Sequence, residues 1–177
     1  MVSVGISGMG SYVPPKVLTN DDIAKIVDTS DEWIGDRSGL RERRIGDSTA
    51  ELAIAAGRNA LAQAKIDPAS IDLMILATTT PDQTVPATSA HVHQELGLGG
   101  GAFDLNAACS GFVYGLVVAE AMLAADAKRI LVIGAETLTR RTDRRDRHTA
   151  ALLGPGAGAW GSAPQRRDGP LRRPRPA

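Results

Sequence analysis

A single cysteine, Cys109, excludes an intramolecular disulfide, and the N-terminus has no basic start followed by an apolar stretch and a small-residue cleavage site. Both absences point to a reduced, cytoplasmic setting. Long apolar runs are missing too. A membrane span needs about 20 consecutive apolar residues, and the richest stretch, 112–125, is broken by Glu120 and followed by Asp126. No membrane association is expected. Net charge is also absent, 20 Lys and Arg balancing 20 Asp and Glu, but residues 140–177 hold ten arginines against three aspartates. Such a basic end can attract nucleic acid. Its last part, "APQRRDGPLRRPRPA", nevertheless has no aromatic residue to stack on bases and no periodic apolar face, so it reads as a disordered, solvated segment with no nucleic-acid partner.

What is present suits a globular chain: 177 residues, 43% hydrophobic and 23% charged, suffice for one sizeable core. Strand-length apolar stretches alternate with helical spacing. "VSVGISGMG" (2–10) reads as a strand ending in glycines, and "TNDDIAKIV" as a helix capped by Thr19 or Asn20 with acids in its first turn. Ser48 and Glu51 have capping-box spacing, and Leu52, Ala55, Ala56, Ala60 and Ala64 form a narrow small-residue face. Residues 73–78 predict a buried strand, and the helix after Pro86 stops at Gly97. A short strand over 103–106 leads to a helix over 110–125 that is apolar on nearly every face, hence one to be surrounded by protein; residues 129–137 form a further buried strand. This alternation predicts an α/β fold of βαβ units around a mostly parallel sheet.

Cys109 falls where the 103–106 strand gives way to the 110–125 helix, in "LNAACSGFVYG". Helix N–H groups without intrahelical partners would favour a thiolate there, and Ala107, Ala108 and Gly111 allow a tight bend and close approach by an acyl group. A small buried filler at a strand-to-helix junction fits the same spacing. Spacing alone leaves both readings open.

"AACSGF" around Cys109, "VDTSDEWI" (27–34), "RSGLRERRI" (37–45), "ILATTTPDQTVPATSA" (75–90) and "DRHTAALLGPGAGA" (146–159) resemble, in order and spacing, β-ketoacyl-acyl-carrier-protein synthase III, the initiating condensing enzyme of bacterial fatty-acid synthesis. The resemblance implies a thiolase-like fold, of which this chain carries one βαβαβ half over residues 1–160, followed by the tail at 161–177. It implies an acyltransferase in which Cys109 takes an acyl group from acyl-CoA and the thioester condenses with malonyl-acyl carrier protein. Trp33 and Arg147 would flank the CoA adenine, and Thr29 and Arg37 would contact its phosphate-bearing part. Val85 would reach the acyl pocket of a neighbouring subunit in the family's homodimer, its small size leaving room for a longer or branched starter. No metal and no resident cofactor are implied, since coenzyme A enters as part of the substrate.

The same resemblance places the decarboxylating histidine and asparagine, and a glycine-rich oxyanion loop, in a second half that this chain does not reach. His91 and His93 are two apart on a predicted helix, hence on different faces, and His148 adjoins the CoA block; surface or packing roles suit all three. Pro155 stands where the family has an acid. Gly154, Gly156 and Ala159 meet the loosest dinucleotide fingerprint, but no helix pattern follows, and "GLGGG" (97–101) lacks a phosphate-loop ending. Beyond Trp160 the resemblance stops, as after a shifted reading frame or in a truncated gene. The alternatives to catalysis are a non-catalytic remnant, an acyl-CoA-binding partner subunit, or a thioesterase lacking a visible base. A lone half should expose an apolar surface and associate.

Overall fold

The computed structural model describes residues 3–46, 48–143, 145–150 and 156–165. In chain order the elements are β1 (Ser3–Tyr12), β2 (Val17–Thr19), α1 (Asn20–Ala24), α2 (Asp31–Ser38), β3 (Glu42–Arg44), α3 (Thr49–Ala64), β4 (Leu73–Ala77), α4 (Thr88–Leu96), β5 (Gly101–Leu105), α5 (Gly111–Ala124), β6 (Ile130–Glu136), α6 (Arg147–Ala150) and β7 (Gly156–Gln165). Five strands form one sheet in the order β1-β7-β6-β4-β5. β4 runs parallel to β5 and β6, whereas β7 is antiparallel to both β1 and β6. Four strands therefore point one way, as the βαβ pattern predicts, and β7 runs against them.

Both faces of the sheet are covered, and the strands alternate accordingly. Met74, Leu76, Leu131 and Ile133 pack under α3 and α4 with Val92 and Leu96, while Ile75, Ile130 and Val132 pack under α5 with Ala119 and Leu123. A fully buried Ile or Leu side chain stabilises by about 1.5–3 kcal/mol, so these two central strands anchor the three layers. The small-residue face of α3 is used at β1. A Cβ on Gly10 would lie 2.3 Å from the Ala60 backbone nitrogen, and one on Gly8 would lie 2.6 Å from Ala64 Cβ. Helix and strand meet backbone to backbone.

A smaller layer is built from α1, α2 and the antiparallel pair β2–β3 that flanks them in the chain. α1 is shorter than the helical spacing predicts, ending at Ala24, and its N-cap Thr19 forms a reciprocal capping box with Asp22. Arg43, only 3% exposed, donates to Asn20 Oδ1. Asn20 Nδ2 in turn donates to Asp31 Oδ1 (2.6 Å) and to the Leu40 carbonyl (2.9 Å). This relay fixes the start of α2, whose N-cap Ser30 accepts from the Trp33 N–H at 3.0 Å.

Three expectations need correction. The 161–177 segment was expected to be disordered, but its first five residues continue β7 and pair with β1. Gly, Ala and Ser carry little strand propensity; the ladder with β1, joined as far as Ser162 by the one with β6, supplies the order that the side chains do not signal. Residues 166–177 lie outside the described residues, as do Gly154 and Pro155 of the fingerprint reading, and Gly156 and Ala159 belong to β7. Second, α5 is not surrounded by protein in this chain: one face packs on the sheet, while Val113 and Val117 on the other are 60% and 57% exposed. Third, the turn before α5 is a separate 3-10 turn over Ala108–Ser110, so α5 begins at Gly111 rather than Ser110. Among the described residues, no helix is long and apolar enough to cross a membrane.

Candidate active site

Parallel strands of an open α/β sheet place their ligands beyond the carboxyl ends. The ends of β4, β5 and β6 coincide, Ala77 pairing with both Leu105 and Gly134. Just beyond them lies an open cleft of about 440 Å³ that contains Cys109. Cys109 is exposed, which removes the buried-filler reading. It sits in the 3-10 turn between β5 and α5, after Ala108, whose backbone is left-handed at φ +46°. Such a conformation costs a residue with a side chain about 1–2 kcal/mol, and it turns the sulfur out over the strand ends. No side chain caps the N-terminus of α5, so the positive end of that 14-residue helix adjoins the sulfur. Gly111 lets the turn settle on the sheet, since a Cβ there would touch Ala77 Cβ at 3.4 Å.

The cleft also holds a carboxylate that the motif reading does not name. Glu136, at the end of β6, lines the cleft and accepts from the Thr79 N–H (2.7 Å), Thr79 Oγ1 (3.0 Å) and Thr80 Oγ1 (2.6 Å). Thr80 Oγ1 also accepts from the Thr137 N–H, and Thr49 Oγ1 reaches both Thr137 Oγ1 (2.8 Å) and the Thr80 carbonyl (2.6 Å). These buried hydroxyls clamp the loop after β4 to the end of β6. An acid and three threonines at strand ends, in "ATTT" and "GAE", are the signal that would have located this network.

Three of the four residues assigned to CoA form a second cluster. The indole of Trp33 lies between two guanidinium groups, with Arg37 Cζ at 4.3 Å and Arg147 Cζ at 4.0 Å from the ring centroid. Arg147 opens α6, which follows β6 in the chain. Arg147 rests directly on Trp33, with no gap for a base between them. Thr29 Oγ1 and Arg147 Nε are buried without a hydrogen-bond partner among the described residues. Val85 stands apart from the cleft, 88% exposed on the loop before α4. His91 is exposed, and His93 Nε2 meets the Gly100 carbonyl at 2.5 Å, a packing role; the side chain of His148 lies outside the described residues.

Asp82 closes the loop after β4. Burial pushes its carboxyl pKa up, but donation from the Ala50 N–H, Ser48 Oγ, the Thr49 N–H and Arg140 more than offsets this, so the pKa lies below the ordinary carboxylate value.

A model of the family described as 3-oxoacyl-[acyl-carrier-protein (ACP)] synthase III matches residues 103–166, reaching past Trp160. Over 159 residues the chain is 54% identical to the beta-ketoacyl-[acyl-carrier-protein] synthase III of Xanthomonas campestris pv. campestris, covering 87% of this chain and 49% of that relative. The corresponding protein of a Bradyrhizobium species is 52% identical over 169 residues, covering 93% of this chain and 52% of the relative. The crystal structure of 3-oxoacyl-[acyl-carrier-protein] synthase III from Aquifex aeolicus VF5 superposes with a TM-score of 0.90 at 45% identity, over 94% of this chain and 55% of that one. The α/β, thiolase-like fold class follows. The chain spans about half the length of the curated relatives it matches.

Proposed function

The chain belongs to the β-ketoacyl-[acyl-carrier-protein] synthase III family, of which it carries the N-terminal half, and from that premise we propose that it takes an acyl group from acyl-CoA onto Cys109. The observation that carries this reading is the exposed sulfur in a cleft beyond the parallel strand ends, beside an uncapped helix N-terminus. In the step proposed, the Cys109 thiolate, its proton given to solvent, attacks the thioester carbonyl carbon. A new carbon–sulfur bond forms, the bond to CoA breaks, and CoA leaves as a thiolate that takes up a proton. The N-terminal charge of α5 stabilises the negative oxygen of the tetrahedral intermediate.

The Trp33 cluster supplies the grip on CoA. Arg147 swings off the indole to admit the adenine between them, Arg37 and Thr29 meet phosphate oxygens, and the unpartnered Thr29 Oγ1 gains a partner. Condensation with malonyl-acyl carrier protein then requires the histidine and asparagine that the family resemblance assigns to its other half. The acting species in this reading is cytoplasmic and homodimeric, with Val85 entering the partner's acyl pocket and leaving room for a branched starter.

Incubation of the purified chain with radiolabelled acetyl-CoA tests the transfer. The expected result is label that survives denaturation, is released by hydroxylamine and is absent from Cys109→Ala. Release of free acid would instead mark hydrolysis, and no label would mark a remnant. Trp33→Ala should raise the acyl-CoA concentration needed for half-maximal labelling about tenfold, as the loss of about 1–3 kcal/mol of base stacking requires. Isobutyryl-CoA should label as well as acetyl-CoA; strong preference for acetyl would overturn the Val85 reading.

A further inference from the structure

The cleft beside Cys109 is lined by small residues and by a single aromatic ring. Ala77, Gly134, Ala157 and Gly158 come from the strands, while Phe112 comes from the first turn of α5, three residues beyond the sulfur. The ring is seated against bare backbone: a Cβ on Gly134 would lie 3.2 Å from Phe112 Cδ2 and 3.7 Å from its Cβ. Its other constraint is the Trp160 ring on β7, edge-on at 83° with centroids 5.4 Å apart. Held by the helix turn, Gly134 and Trp160, the ring has little freedom to move aside. Glu136 and Thr79 give the cleft a polar part. An alkyl chain attached at the sulfur avoids desolvating them and runs along Phe112.

We propose that Phe112, seated on Gly134, sets the length of acyl chain that the Cys109 cleft admits. This rests on the reading that Cys109 accepts acyl groups, and it adds the residue that selects among them. The pair acts in two directions. Removing the ring lengthens the cleft. A methyl group on Gly134 would meet the ring at 3.2 Å, tighter than most real contacts, so the ring gives way by a few tenths of an ångström toward the sulfur and shortens the cleft.

The test uses the full chain and two reagent series. Acetyl-CoA and octanoyl-CoA report acyl transfer, whereas N-methylmaleimide and N-octylmaleimide add to the thiol whether or not it accepts acyl groups. In Phe112→Ala the long-to-short rate ratio should rise about tenfold in both series, the scale of a few methylenes gaining room. Gly134→Ala should lower it. Phe112→Leu, which keeps most of the packing, should give an intermediate ratio and serves if the alanine variant fails to fold. Ratios within twofold of the parent in all folded variants overturn the proposal. If the maleimides discriminate while acyl-CoAs leave no label, the steric role of Phe112 stands and acyl transfer falls. If acyl-CoAs label every variant with unchanged length preference, transfer stands and Phe112 does not select.

Discussion

Replacing Asp82 by Asn separates what a carboxylate does at the loop after β4 from what any polar residue would do. Each carboxylate oxygen accepts twice: Oδ1 from the Thr49 N–H (3.0 Å) and Arg140 Nη1 (2.5 Å), Oδ2 from the Ala50 N–H (2.8 Å) and Ser48 Oγ (2.8 Å). An amide offers one accepting oxygen and turns its NH2 toward the other pair of donors. At least one N–H in the first turn of α3 then loses its partner. A charge-assisted hydrogen bond contributes about 1.5–3 kcal/mol, and an orphaned donor costs a similar amount. The half-exposed Arg140 adds little of this, because surface ion pairs contribute about 0–1 kcal/mol. Asp82→Asn should therefore lose about 2–3 kcal/mol at pH 7, or about 5–10 °C in thermal midpoint for a chain of this size. The pH dependence gives the sharper check. Because the folded carboxyl pKa is lowered, its stabilisation is complete above the unfolded value of about 3.9 and is lost as pH falls through the folded value. The gap between parent and variant should close in acid. Thermal melts by circular dichroism at pH 7 and below pH 3 decide it, and equal midpoints at pH 7, or a gap that persists unchanged in acid, would refute the reasoning.

Gly10→Ala should destabilise by about 3 kcal/mol, the upper range for overpacking, because the added carbon meets the Ala60 nitrogen and the Ala56 carbonyl at 2.3 and 2.4 Å, and neither backbone atom can yield; urea unfolding checks this, with an unchanged midpoint as the contrary result. On α5, Val117→Lys should weaken self-association of the chain at least about tenfold, since burial of a valine contributes about 1.5–3 kcal/mol. Sedimentation velocity reads the shift, and a chain that is monomeric before substitution contradicts it.

The alternation of strands and helices was legible because its periodicity reports burial. β4 and β6 are covered on both faces and read as continuous apolar runs; α3 is recognised by its cap and its alanines. β7 escaped because its stretch of Gly, Ala and Ser carries no such period. Its order comes from backbone ladders on either side, and its small Ala159 joins the core under α3. The same property hides a strand from pattern reading and makes it useful to the fold. Composition also misplaced α5, for an apolar surface shows only that a face can be buried, not that this chain contains what buries it.

The site divides along similar lines. Cys109, Trp33, Arg37 and Arg147 could be proposed from sequence because each carries its chemistry in the side chain and stands in a distinctive motif. Glu136, Thr79, Thr80 and Asp82 were not, since their part is to connect segments up to 58 residues apart, and no local spacing encodes such a meeting. Their placement nevertheless bears on the proposed chemistry: hydrogen bonds from the loop after β4 hold Glu136 in the cleft, and the proposed acyl route runs along Phe112 instead. Nucleophile and wall are neighbours in sequence, whereas the polar boundary that gives the wall its meaning comes from two strand ends brought together by the parallel pairing of β4 and β6.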